Sequence, residues 1–128
     1  MENKEKIAKI VGILMMSRTY AHMAHLRTSS YSKHIALNDF YDDESDADFD
    51  VTEMADDLAE AAQGIWGKLD IPFIPLKGDV EDPIDALETH IMMIENLSKS
   101  CKHPFIDNII QEIQKLYYQT LYKLRELD

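Results

Sequence analysis

The chain has one cysteine, one tryptophan, four glycines and four prolines in 128 residues, and each scarcity removes a class of protein. The lone Cys101 cannot form an internal disulfide, so a reducing cytoplasm is the expected compartment. No apolar run approaches the roughly 20 residues that span a bilayer. The opening MENKEKIAKIVGILMMSR has a charged start and a short apolar stretch but no small-residue cleavage site. Its apolar residues continue at helical spacing into TYAHMAHL, which makes it a first helix rather than a signal peptide. There is no glycine-flanked serine elbow and no Gly-rich phosphate loop, and Cys101 meets Lys102 and His103 only as sequence neighbours. Serine or cysteine hydrolase chemistry therefore has no support. Positive charge is also short: 13 Lys and Arg stand against 24 Asp and Glu, and the pI near 4.7 argues against an intrinsic nucleic-acid binder.

What is present is uneven. Between Asp39 and Glu60 lie eleven acidic residues and no Lys or Arg, and this stretch carries the whole net charge of −11. Just before it stand His22, His25 and His34. Imidazoles close to carboxylates are the ligands a transition metal takes.

The apolar spacing predicts an all-α single domain over residues 1–128 with four long helices. The first covers about 4–27, where Ile7, Val11, Leu14, Arg18, His22 and His25 follow at three- and four-residue steps. The second covers about 30–64, capped by Ser29 or Ser30, ended by Gly64, and interrupted near 43–50 where Asp42, Asp43, Asp46 and Asp48 crowd together. The third covers about 82–100, opened by Asp82-Pro83. The fourth covers about 104–127, with Phe105, Ile109, Ile113, Leu116, Thr120 and Leu124 as its stripe. Residues 64–81 hold Pro72 and Pro75 with Trp66, Ile71, Phe73 and Ile74, too apolar for a free linker. They are expected to cross the bundle, Trp66 and Phe73 acting as plugs. The result is a four-helix up-down bundle with one long crossover between helices 2 and 3, those two running in the same direction.

This pattern resembles the ferritin-like superfamily and its mini-ferritin (Dps-like) branch. It resembles more closely a family of small phage proteins of unknown function, through His25-Leu26-x-Thr28-x-Ser30-Tyr31, His34, Ala36-Leu37 and Phe40-Tyr41-Asp42. The likeness continues through Asp56-Asp57, Glu60, Gln63-Gly64 and Leu121-Tyr122-Lys123-Leu124. Mini-ferritins oxidise and store iron at a site shared between two subunits. Carried across, His25 (or His22) and His34 match the histidines, and Asp56 and Glu60 match an Asp-x-x-x-Glu pair from the other subunit. The resemblance thus implies an iron site, with zinc or manganese as alternatives, and a homo-oligomer, a dimer before a shell. Two departures stand out. Asn38 replaces the aspartate four residues after His34, and the spacing from His34 to Glu60 is about seven residues longer. The Glu-x-x-His pairs of other ferritins are absent.

Other readings of the same residues are structural. A histidine on an apolar stripe is commonly a hydrogen-bonded core residue, and His90 and His103 are expected to be so. Met15, Met16, Met92 and Met93 are expected to pack, as are Tyr117, Tyr118 and Tyr122. The Asp-rich stretch reads as a solvated loop, a weak calcium site, or a handle by which an acidic phage-type protein docks on a basic host protein through Asp42, Asp43, Asp46 and Asp48. Glu53-x-x-Asp56 superficially fits a magnesium-dependent nucleotide pyrophosphatase, but the second Glu-rich helix is missing.

Overall fold

The computed structural model describes residues 2–42, 50–76 and 82–126, and the regular structure among them is helical, with no strand. Five helices follow in order: α1 (Asn3–Arg27), α2 (Tyr31–Tyr41), α3 (Val51–Trp66), α4 (Pro83–Ser98) and α5 (Pro104–Glu126). The starts of α2, α3 and α4 are set by side chains that accept from otherwise unpaired backbone N–H groups. Ser30 Oγ accepts from Lys33 N at 3.3 Å, Asp50 Oδ1 from Glu53 N at 2.8 Å, and Asp82 Oδ1 from Asp85 N at 3.1 Å. The second expected helix is therefore two, α2 closing at Tyr41 and α3 opening at Val51. Gly64 does not end α3; the helix runs on to Trp66 and stops at Gly67, whose φ of 85° is the left-handed conformation glycine adopts freely.

Chain direction follows from the contacts. On α1, Lys6 bonds Ser100 and Ser17 meets His90, so α4 runs antiparallel to α1. Arg18 Nε donates to Thr52 at 3.1 Å and His25 meets His34, so α2 and α3 also run antiparallel to α1. Glu88 pairs with Arg125 at 3.1 Å while Glu95 accepts from Tyr118 at 2.8 Å, which turns α5 back against α4. Helices α2, α3 and α4 thus share one direction, as the crossover requires. Both α1 and α5 pack on all three, whereas neither α2 nor α3 packs on α4 among the described residues.

The core is a single cluster. Ile7, Ile10, Leu14, Leu37, Phe40 and Leu58 are fully buried, with Leu87, Ile91, Ile94, Ile113, Tyr117 and Leu121 facing them. Burying side chains of this size stabilises by roughly 1.5–3 kcal/mol each before the entropy of ordering the chain is subtracted. Several sequence expectations are corrected here. The α1 stripe turns outward after Leu14, since Arg18 and His22 are exposed, and the inward line passes through Ser17, Ala21 and Ala24 instead. Phe105 is exposed and Ile106 and Ile110 carry the start of the α5 stripe. Met15, Met92, Met93, Tyr118 and Tyr122 face outward, while Met16 and Tyr117 pack as expected. Phe73 is no plug: it is 90% exposed, and Leu69, Ile74 and Leu76 make the inward contacts of the crossover. Trp66 does pack against the core. The crossover comes so close to α1 that a Cβ on Gly12 would lie 2.6 Å from the Pro72 carbonyl oxygen.

Candidate functional site

The three histidines meet where α1 turns into α2. Helix α1 closes with Thr28 N–H donating to the Ala24 carbonyl at 3.0 Å, and Ser30 N–H donates to Thr28 Oγ1 at 3.2 Å. Only three residues, 28–30, separate the helices, so the last turn of one faces the first turn of the next. His25 Nδ1 lies 3.0 Å from the His34 carbonyl oxygen, and His34 Nδ1 lies 3.2 Å from the His25 carbonyl oxygen. The rings stack with centroids 3.7 Å apart and planes 29° from parallel.

A carbonyl only accepts, so each Nδ1 must be the donor. In a neutral imidazole that leaves Nε2 as an unprotonated acceptor, the arrangement by which a backbone carbonyl orients a metal-ligating histidine. Lone pairs lie in the ring plane, and the two stacked rings do not share a plane. Two acceptors of this kind make at most half of a four-coordinate shell. His22 stacks on Tyr41 at 4.7 Å and 22°, and Tyr41 presents an edge to His25 at 5.5 Å, so one buried tyrosine supports both rings. Burial and the adjacent Asp42 carboxylate push the Tyr41 phenol upward, which keeps it neutral across ordinary pH.

The expected carboxylates lie elsewhere on the chain. Asp56 and Glu60 are exposed on α3, and Asp56 borders a cleft with Leu14, Met15, Arg18 and Thr19. Arg18 is seven residues before His25, about 10 Å along α1 at 1.5 Å per residue. A single chain therefore assembles His22, His25 and His34 but not Asp56 and Glu60, and no group of three or more His, Cys, Asp or Glu among the described residues is placed to hold an ion. Asp42 ends α2, its N–H bonding the Asn38 carbonyl at 2.9 Å. Asp43, Asp46 and Asp48 lie outside the described residues.

Residues 25–124 match a family model described as a family of unknown function, DUF5856. The chain belongs to that family. The match begins at His25 and takes in α2, α3, α4 and nearly all of α5, so the histidine corner lies at its N-terminal edge. Among curated proteins, the chain is similar to an uncharacterised 14.6 kDa protein of Enterobacteria phage T4 from the mobD–ri intergenic region. The two are 26% identical over 121 residues, which covers 93% of this chain and 88% of the phage protein. The likeness to a phage protein expected from the His25–Asp42 motifs is thus found. No solved structure matches the chain.

A second cluster was not visible in the sequence as a cluster. Tyr117 OH donates to Ser17 Oγ at 2.6 Å, and Ser17 Oγ lies 2.8 Å from His90 Nδ1. With the tyrosine donating, the serine hydroxyl proton is free to go to Nδ1, and the chain of bonds satisfies three polar groups inside an apolar core. Burial drives the His90 pKa down to about 4. Nothing local signals this: the three residues stand 73 and 100 positions apart. His103 is likewise structural. Its Nδ1 accepts from Phe105 N–H at 3.3 Å, and its ring meets Trp66 edge-on at 6.3 Å.

Proposed function

We propose that this protein is a ferritin-like, Dps-like metal-binding bundle in which His25 and His34, with His22 beside them, supply the nitrogen ligands. The observation that supports the reading is the reciprocal bonding of the two Nδ1 atoms to carbonyls, which leaves both Nε2 atoms of the neutral rings as acceptors. The directions of α1, α2–α3, α4 and α5 are compatible with a four-helix bundle of that kind. The carboxylates of the site, Asp56 and Glu60, would come from a second copy of the chain. A bound iron(II) would supply an electron to oxygen, and zinc or manganese would bind without it. Asn38, a neutral side chain where mini-ferritins have an anion, weakens the case for iron turnover and favours binding with little or no ferroxidase activity.

The test is uptake by metal-free protein. Iron(II), zinc and manganese are titrated separately and the bound metal measured by elemental analysis, with iron oxidation followed in parallel. Retention of one metal at a defined ratio to chain, lost in His25→Ala and His34→Ala, is expected. If none of the three is retained, the reading fails.

A second reading has an observation of its own. Glu53, Asp56, Asp57 and Glu60 are exposed on α3 and form no ion pair among the described residues. Such a face, in a chain whose sequence also carries Asp42, Asp43, Asp46 and Asp48 just before it, suits a non-enzymatic phage-type protein that docks on a basic protein in the host cytoplasm. Salt-sensitive capture of a host protein, abolished when those four Asp become Asn, would select this reading over the first.

A further inference from the structure

The buried chain of bonds through Ser17, His90 and Tyr117 leaves one group unused. Tyr117 donates to Ser17 Oγ and the serine proton goes to His90 Nδ1, so the neutral imidazole carries its own proton on Nε2. His90 is only 7% exposed, and its Nε2 N–H has no hydrogen-bond partner among the described residues. It is not sealed in the core either, because no side-chain nitrogen or oxygen among those residues is both buried and unpartnered. The ring is held from two sides, by the Ser17 hydroxyl at Nδ1 and by the edge-on Tyr20 ring at 5.9 Å. A donor that is fixed, nearly buried and unpaired is a place for an acceptor from outside the chain.

His90 lines a cavity of about 490 Å³ between α1, the crossover and α4, within the roughly 300–1,000 Å³ of small-molecule sites. Most of its wall is apolar, made by Met16, Ile74, Pro75, Leu76, Ala86 and Met93. Pro75 brings no N–H, and the Thr89 hydroxyl proton is already given to the Asp85 carbonyl. His90 and Tyr20 remain as the side-chain donors. Along Met16, Ile74, Pro75 and Leu76 this cavity adjoins a second, of about 590 Å³, that is apolar and reaches Gly12 and Phe73. Charge restricts the guest. The charged side chains that line the first cavity are Asp82 and Asp85, both exposed, and no Lys or Arg among the described residues lines either one. An anionic oxygen would reach His90 only past like charge and with no cation to meet it. An uncharged carbonyl oxygen meets neither objection.

We propose that this cavity binds a small, uncharged, largely apolar carbonyl compound, its oxygen accepting from His90 Nε2 and its hydrocarbon part lying against Met16, Ile74 and Met93. The site shares no residue with the histidine corner, so it stands or falls apart from any metal.

The probe is para-fluoroacetophenone, a neutral aryl ketone, added to the full chain carrying methyl-labelled methionine and followed by NMR. Among the seven methionines, saturable shifts are expected at Met16 and Met93, with Met23 and Met54 unmoved. Its analogue para-fluoroethylbenzene, which lacks the oxygen, should bind at least about fivefold more weakly. The anionic para-fluorobenzoate should not saturate. His90→Asn keeps an acceptor near the Nδ1 position for Ser17 and removes the Nε2 donor, so in this variant the ketone and the hydrocarbon should bind alike. Three results on the wild-type chain overturn the proposal without any variant: a ketone response that does not saturate, shifts at Met23 and Met54 as large as those at Met16 and Met93, or benzoate bound as tightly as the ketone. A ketone preference that survives in folded His90→Asn protein overturns it as well.

Discussion

Ser17 is a small polar residue in the middle of the core, fully buried and bonded to two larger groups from two other helices. Replacing it by Ala removes a hydroxyl that serves both Tyr117 and His90. Leaving buried polar groups without partners costs about 1–3 kcal/mol each, so Ser17→Ala should lower the unfolding free energy by about 2 kcal/mol in urea titrations. His90 adds a dependence on pH. Its folded pKa, near 4, lies below the ordinary histidine value of 6.5, so the folded state binds the proton less readily than the unfolded chain. The stability tied to keeping this ring neutral is present above pH 6.5 and is lost as pH falls through about 4. A shift of this size corresponds to roughly 3 kcal/mol. His90→Gln should lose stability at neutral pH but show a flatter decline between about pH 6.5 and 4 than the parent. Equal slopes in the two proteins would show that His90 does not drive the acid sensitivity.

At the scale of elements, two positions decide how α3 and the crossover are held. Asp50 is almost fully buried and caps α3 through Glu53 N–H. Asp50→Ala should cost about 1–2 kcal/mol, and Asp50→Asn, which keeps an acceptor oxygen, markedly less. Gly12 is a different case, because alanine favours a helix interior over glycine by about 1 kcal/mol. Here the added methyl meets a backbone carbonyl that cannot swing aside as a side-chain tip would. Gly12→Ala should therefore be net destabilising and should speed proteolytic cleavage between residues 68 and 76. A stabilised variant would mean that the crossover rests only loosely on α1.

These elements also show what the sequence could and could not disclose. Starts fixed by local chemistry, such as Ser30 and Asp82-Pro83, are legible because the capping residue and the group it satisfies are three positions apart. The break of the second helix is legible for a similar reason, since adjacent carboxylates disfavour a helix locally. The exposure of Arg18, His22 and Phe105 is not, because a stripe of apolar spacing does not say which neighbouring helix comes to meet it. The histidine corner was legible as a concentration of imidazoles. Its reciprocal bonding was not, since it depends on how tightly residues 28–30 turn.

For the whole molecule, net charge is the governing quantity. An excess of 11 negative charges on 128 residues opposes compaction by self-repulsion, and α3 concentrates much of it on one exposed face. Raising salt from about 0.05 M to about 0.5 M shortens the screening length from above 10 Å to below 5 Å. The melting temperature of the isolated protein should rise by a few degrees over that range, roughly what 1 kcal/mol produces in a domain of this size. A flat or falling curve would mean that attractive pairs, not repulsion, dominate its surface.

The lone tryptophan gives the molecule a built-in lamp at one pole. Trp66 shines beside His103 at the end where Lys6 meets Ser100, while His25 sits some nineteen positions further along α1, roughly 28 Å away at 1.5 Å per residue. An ion settling at the far pole lies too distant to quench that emission by contact. Dimming of Trp66 on adding a metal would therefore report a change conducted through the length of the helices, and silence would report a corner that keeps its events to itself.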